Sequence, residues 1–118
     1  MQDKPFILLT SDSDFCRTNG VTPRHFDSPK AYSDAIAAVT GRWLEKNPLV
    51  FVCGEEVANL GGGAYGATKG LAKLFPDRIL NTPISEAGFS GLACGAALNG
   101  MRPIVELMFS SFVLVAAD

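Results

Sequence analysis

Apolar residues change their spacing several times along this chain, and each change marks an element. Tyr32, Ile36, Val39, Trp43 and Leu44 recur at helical intervals, which predicts a first helix over residues 29–46. Ser28 followed by Pro29 supplies an N-cap and a first-turn proline, and Asn47-Pro48 stops the pattern. The uninterrupted apolar run at residues 49–53 reads as a strand covered on both faces, ended by Gly54-Glu55-Glu56. Beyond a loop containing Gly61, Gly62 and Gly63, the pattern predicts a helix at 67–75, a Pro76-Asp77 break and a strand at 79–84. A helix at 86–99 capped by Gly100, a third strand at 103–108 and the opening of a helix from Ser110 complete the series. Strand and helix in alternation is the grammar of right-handed parallel crossovers, so the expected class is α/β, a parallel sheet with flanking helices. Residues 1–27 carry few periodic apolar positions and read as a tail or linker with a short strand at 6–9.

Composition narrows the setting. The 118 residues are 47% hydrophobic and 19% charged, which fits one domain able to bury a core. The closing stretch carries no helix stop signal, so a fragment, incomplete at its C-terminus, is expected. A net charge of −2 without a polybasic run argues against nucleic acid and membrane partners. The apolar run at residues 6–9 is too short for a secretory core or a membrane span, which leads to the expectation of a cytoplasmic protein. Cys16, Cys53 and Cys94 form no close pair, and His25 has no ligands at metal spacing, so all four read as structural or surface residues.

Ligands of open parallel sheets bind outside the carboxyl ends of the strands, which here carry Glu55, Glu56 and Glu86. Glu86 stands where a strand hands over to a glycine-rich helix. A first-turn acid favoured by the helix dipole is one account of it; chemistry is the other. Gly88, Gly91 and Gly95 share a face of that helix, and each mid-helix glycine costs roughly 0.5–1 kcal/mol relative to alanine. Close approach by another backbone or a ligand is the usual compensation, so an interface is expected along this helix with Glu86 near its edge. Residues 61–66 also match the dinucleotide glycine fingerprint, with Glu86 about 20 residues on. That fingerprint needs its first glycine directly after the strand, whereas residues 54–60 intervene, and a flexible loop is the simpler expectation.

Several motifs then align in order: Gly54-Glu55-Glu56-Val57, Gly66-Ala67-Thr68-Lys69-Gly70-Leu71, Asp77-Arg78-Ile79, Thr82-Pro83-Ile84-Ser85-Glu86-Ala87-Gly88-Phe89, Gly95-Ala96-Ala97 and Arg102-Pro103-Ile104-Val105-Glu106. Together they resemble the beta subunit of thiamine-diphosphate-dependent 2-oxo acid dehydrogenases, from about residue 31 to the end. The resemblance implies that residues 28–118 are the N-terminal part of a transketolase-type pyrimidine-binding domain. It implies that Glu86 hydrogen-bonds N1′ of the cofactor's aminopyrimidine and shares a proton there, while the cofactor carries the covalent chemistry. Met108 and Phe112 match residues that pack on the pyrimidine ring, against the alternative of an i,i+4 apolar pair in the core. Glu55 matches an acid on a polar path between paired active sites. Related transketolases place a histidine close after this glutamate, whereas Ala87-Gly88-Phe89 stands here, which favours the dehydrogenase branch of pyruvate, branched-chain or acetoin type.

The family holds the diphosphate and Mg²⁺ through a Gly-Asp-Gly motif with a downstream Asn, which this chain lacks. The resemblance therefore implies an alpha-type subunit or a fused diphosphate-binding domain, a homo- or hetero-oligomer, and the acyltransferase core of a dehydrogenase complex as a further partner; the chain alone is expected to be inactive. Two other readings stay open on the residues: a non-catalytic α/β binding or assembly module, and a dinucleotide-binding fragment.

Overall fold

The computed structural model describes residues 29–59 and 61–117. The tail at 1–27 with its strand at 6–9, Cys16, His25 and the Ser28 cap lie outside the described residues. The chain divides into compact units Met1–Tyr32 and Ser33–Asp118, and the sheet belongs to the second.

Helix α1 runs Pro29–Lys46, followed by strand β1 at Val50–Gly54, helix α2 at Leu71–Leu74 and a 3₁₀ turn at Pro76–Arg78. Strand β2 is Ile79–Asn81, helix α3 Glu86–Leu98 and strand β3 Arg102–Glu106; a 3₁₀ turn, Ser110–Phe112, leads into helix α4, Val113–Ala116. The three strands form one parallel sheet in the order β2-β1-β3. All five residues of β1 are buried, as a continuous apolar run between two neighbours requires. The pleat sends Val50 and Val52 into a cluster with Leu44, Val57, Leu71 and Ile79. Phe51 and Cys53 point the other way, to Ala93 of α3 with Ala96, Met101 and Val105 packed around them. Helices therefore cover both faces of β1, the layered arrangement expected of an α/β fold. Arg78 fixes the entry to β1: its guanidinium donates to the carbonyls of Asn47 (3.0 Å) and Val50 (3.3 Å) and lies over the Phe75 ring.

Element order follows the sequence pattern, but several bounds contract. The ladder ends where Gly54 meets Asn81 on one side and Glu106 on the other, so the strands expected to reach 84 and 108 stop at 81 and 106. Beyond the ladder Thr82 N–H still donates to Gly54 C=O at 3.0 Å, and Pro83 has no N–H to continue. The helix expected at 67–75 shrinks to one turn because Gly70 takes a left-handed φ of 79°. Along α1 only Leu44 of the five periodic apolar residues is buried, while Trp43 remains 54% exposed; inward packing runs instead through Thr40 and Leu44, with Gly41 close to Leu71.

Candidate functional site

The carboxyl ends of all three strands bring together side chains distant in sequence. Glu55 follows β1, Thr82 follows β2, Glu106 closes β3 and Glu86 opens α3. Gly54 makes the junction tight. A Cβ there would lie 2.6 Å from the Glu106 carbonyl oxygen, 3.0 Å from Glu106 Cβ and 3.1 Å from Val57 Cγ1, so no larger residue fits between the strand ends. Glu55 and Glu86 are 8% and 9% exposed, an unusual depth for two carboxylates.

Burial pushes the Glu55 carboxyl above the ordinary carboxylate range, and the neighbouring charges of Glu86 and then Glu56 push the same way. Burial likewise raises the Glu106 carboxyl, with the Glu55 charge as the second cause. Glu55 Oε1, Glu106 Oε2 and the Thr82 hydroxyl are buried with no hydrogen-bond partner among the described residues. Orphaned buried oxygens are costly, and three of them at one end of a sheet mark a place built to receive a proton or a donor. Glu106 was not among the site residues expected from sequence; the available signal was a carboxylate inside the apolar run expected as a strand at 103–108. Glu56 is exposed and adopts a left-handed φ of 59°, and its part is played by its backbone, as follows.

The loop after β1 is folded on itself rather than loose. Glu56 C=O accepts from Asn59 N–H (2.9 Å) and Gly63 N–H (3.1 Å), Gly62 N–H donates to Asn59 C=O, and Thr68 N–H donates to Gly62 C=O. The Thr68 hydroxyl, buried, donates to Val57 C=O at 2.7 Å. Asn81 ties β2 to the same loop, accepting from Ala58 N–H and donating to Asn59 Oδ1. Gly62 has a φ of 74°, and a Cβ on it would fall 2.0 Å from Lys69 N. Close approach of the loop's own backbone thus explains Gly62, and a left-handed φ of 75° explains Gly63. It opens no helix at its first glycine and follows β1 only after the turn at residues 55–59, so the geometry gives the dinucleotide reading no support.

Met108 lies in a bend and Phe112 in the 3₁₀ turn, with extended backbone at Phe109 between them. They are not an i,i+4 pair on one helix. Both are half-buried, in the segment that leaves β3 just past Glu106. Phe112 meets Phe109 edge to face at 5.2 Å, and Phe109 meets Tyr65 of the glycine loop at 5.5 Å. Helix α3 packs against β3, β1 and α4, so the helix that Glu86 opens borders the strand and the helix on either side of this segment.

The two sides of α3 differ. Glu86, Phe89 and Ala93 are its buried residues. On the glycine positions, a Cβ at Gly88 would meet Ser85 Oγ at 2.6 Å, but at Gly91 and Gly95 it would meet nothing within 4 Å. Leu92 and Leu98 are 57% and 89% exposed. Among the described residues no three His, Cys, Asp or Glu side chains converge as metal ligands, and no helix is long and apolar enough to cross a membrane.

Residues 28–118 match the family described as "Transketolase, pyrimidine binding domain". The chain belongs to the transketolase pyrimidine-binding domain family. Among curated relatives, it is 48% identical over 112 residues to the mitochondrial pyruvate dehydrogenase E1 component subunit beta of Chaetomium thermophilum, covering 94% of this chain and 28% of that protein. The human mitochondrial subunit is 46% identical over 99 residues, 80% of this chain and 27% of the relative. The Dictyostelium discoideum subunit is 49% identical over 86 residues, 72% and 24% respectively. The chain spans about a quarter of the length of these relatives.

The relatives are, by name, subunits of the 2-oxo acid dehydrogenase branch that the residues after Glu86 favoured. The expected cytoplasmic location is corrected by the same findings, because these relatives are mitochondrial proteins by name. The expectation rested on the lack of a secretory apolar core, and that feature does not discriminate: mitochondrial targeting segments are amphipathic and need no such core.

Proposed function

We propose that this chain supplies the aminopyrimidine-binding face of the decarboxylating component of a pyruvate-type 2-oxo acid dehydrogenase, with Glu86 as the residue that bonds the ring. The observation that carries the reading is a carboxylate only 9% exposed at the N-terminus of α3, at the carboxyl end of a parallel sheet where ligands of such folds bind. Thiamine diphosphate fits this end of the molecule through its aminopyrimidine. Glu86 offers an oxygen for a ring nitrogen, Met108 and Phe112 offer apolar surface for the ring faces, and Glu55 stands behind Glu86 as a second carboxyl whose proton affinity burial raises.

When bound, thiamine diphosphate supplies the electron sink on which a 2-oxo acid loses carbon dioxide. The chain's own contribution is to bind and orient the aminopyrimidine and to hold a proton at Glu86. The diphosphate and Mg²⁺ fall, on this reading, to an alpha-type subunit or a fused domain. The open glycine positions of α3 and the exposed Leu92 and Leu98 give such a neighbour a flat apolar surface to approach.

The test is to co-purify the chain with an alpha-type partner, add thiamine diphosphate and Mg²⁺, and follow oxidative decarboxylation of pyruvate. Glu86→Ala is expected to lower kcat by about a hundredfold or more, the scale of a lost acid–base group, with the assembly still formed. Undiminished turnover in the variant would remove Glu86 from the mechanism.

A further inference from the structure

The aromatic chain at the edge of the site has no part in the roles assigned so far to Tyr65 and Phe109. Tyr65 comes from the glycine loop after β1, Phe109 and Phe112 from the turn after β3, and the sheet separates them in sequence by more than forty positions. In space they form a row. Tyr65 stands against Phe109 with centroids 5.5 Å apart and planes at 85°, and Phe109 against Phe112 at 5.2 Å and 70°. Both contacts have the edge-to-face geometry that aromatic quadrupoles favour. Phe112 N–H also donates to Phe109 C=O at 2.9 Å, so those two rings ride on one turn of backbone.

Core packing does not account for the row. Tyr65 is 55% and Phe109 46% exposed, and neither belongs to the buried clusters on the two faces of β1. Tyr65 is nevertheless held on a firm base. Gly62 and Gly63 take left-handed φ values of 74° and 75°, Gly66 N–H donates to Gly63 C=O, and the buried Thr68 hydroxyl pins the loop to Val57. A loop closed this tightly presents its tip side chain in one place.

We propose that Tyr65 is a positioning residue for the aminopyrimidine site, setting the Phe112 ring through Phe109. The inference rests on the reading that Phe112 packs on the pyrimidine. A ring that must present its face to a flat ligand loses binding when it is free to rotate, because ordering it then costs entropy on each binding event. Tyr65 removes that freedom before the cofactor arrives.

The experiment uses the chain assembled with its alpha-type partner and titrates thiamine diphosphate in the presence of Mg²⁺. Tyr65→Ala is expected to weaken cofactor binding roughly two- to tenfold, the worth of one edge-to-face contact, and the loss should fall on KM for thiamine diphosphate rather than on kcat. Tyr65→Phe, which keeps the ring edge and drops only the hydroxyl, restores wild-type affinity. In a double variant with Phe112→Ala, the Tyr65→Ala loss should vanish, because nothing remains to be positioned. If Tyr65→Ala impairs assembly, Tyr65→Leu keeps bulk without an aromatic edge and is expected to show the same affinity loss.

Wild-type affinity in Tyr65→Ala alongside weakened binding in Phe112→Ala overturns the brace and leaves the site reading standing. Wild-type affinity in both variants overturns the brace together with the role of Phe112. Additive losses in the double variant also overturn it, since independent contacts do not act through one another.

Discussion

Two glycine-rich segments, residues 61–66 and the outer face of α3, look alike in sequence and differ in what occupies the space beside their glycines. In the loop the occupant is the chain itself: a Cβ on Gly62 would overlap the backbone of Thr68 and Lys69. At Gly91 and Gly95 there is open space out to 4 Å. A mid-helix glycine costs about 0.5–1 kcal/mol, and among the described residues nothing at those two positions offsets it. The same residue type therefore marks internal closure in one place and, on our reading, a surface kept low for a neighbour in the other. Glycine alone does not distinguish the two cases; the test is whether the missing methyl would meet the chain's own atoms.

The comparison breaks most readily at Gly62. Gly62→Ala combines a positive φ with a backbone overlap that no rotamer relieves, and is expected to cost roughly 3–5 kcal/mol, the upper end for a single substitution. Thermal or denaturant melting checks this. A variant as stable as the parent would show that the loop can close another way and that its glycines, like those of α3, serve something outside it.

A smaller effect is expected at Glu106, which faces the same loop, its Oε1 standing 3.7 Å from where a Cβ on Gly63 would be. Its carboxyl is raised first by burial and then by Glu55, so the folded chain holds that proton more tightly than the unfolded chain does. Stability from this source is fully present below the unfolded carboxylate pKa, about 4.3, and is lost as pH rises through the raised folded value. Glu106→Gln is neutral at every pH and keeps the shape. Its stability relative to the parent should therefore grow as pH climbs above that range, to on the order of 1 kcal/mol once the parent carboxyl has ionised with an orphaned oxygen. A stability difference that does not change with pH would mean that Glu106 ionises without cost.

Much of the architecture is legible in the residues because local rules and packing agree. Pro29 and Asn47-Pro48 bound α1, and an unbroken apolar strand became the buried centre of the sheet. The place of Glu86 is legible for the same reason: the switch from strand to helical spacing puts it at the first turn, where the structure has it. Strand ends are less so, because β1 sets them for its neighbours through the Gly54 pairings, and no residue within β2 or β3 announces the register. Glu106 escaped notice on that account. Its significance depends on standing beside Gly54 and Glu55, a proximity that only the parallel ladder creates. Gly70 likewise looked compatible with a helix until its left-handed φ placed it just before one.

The smallest expected effect tests the other half of the comparison. Gly95→Ala places a methyl in open space on a helix whose φ values suit alanine, so the chain by itself should gain about 0.5–1 kcal/mol in melting experiments. If the outer face of α3 receives an alpha-type partner, the same methyl intrudes on that approach, and assembly should weaken while the chain alone grows firmer. Opposite signs from one substitution are hard to obtain from a purely internal role. Gly91→Ala should behave in the same way, whereas Gly88→Ala should not, because Ser85 Oγ already stands 2.6 Å from its added Cβ and the chain alone must then absorb the strain. A gain in stability at Gly95 with assembly unchanged would leave that glycine without a partner to explain it, and would move the interface to another face of the molecule.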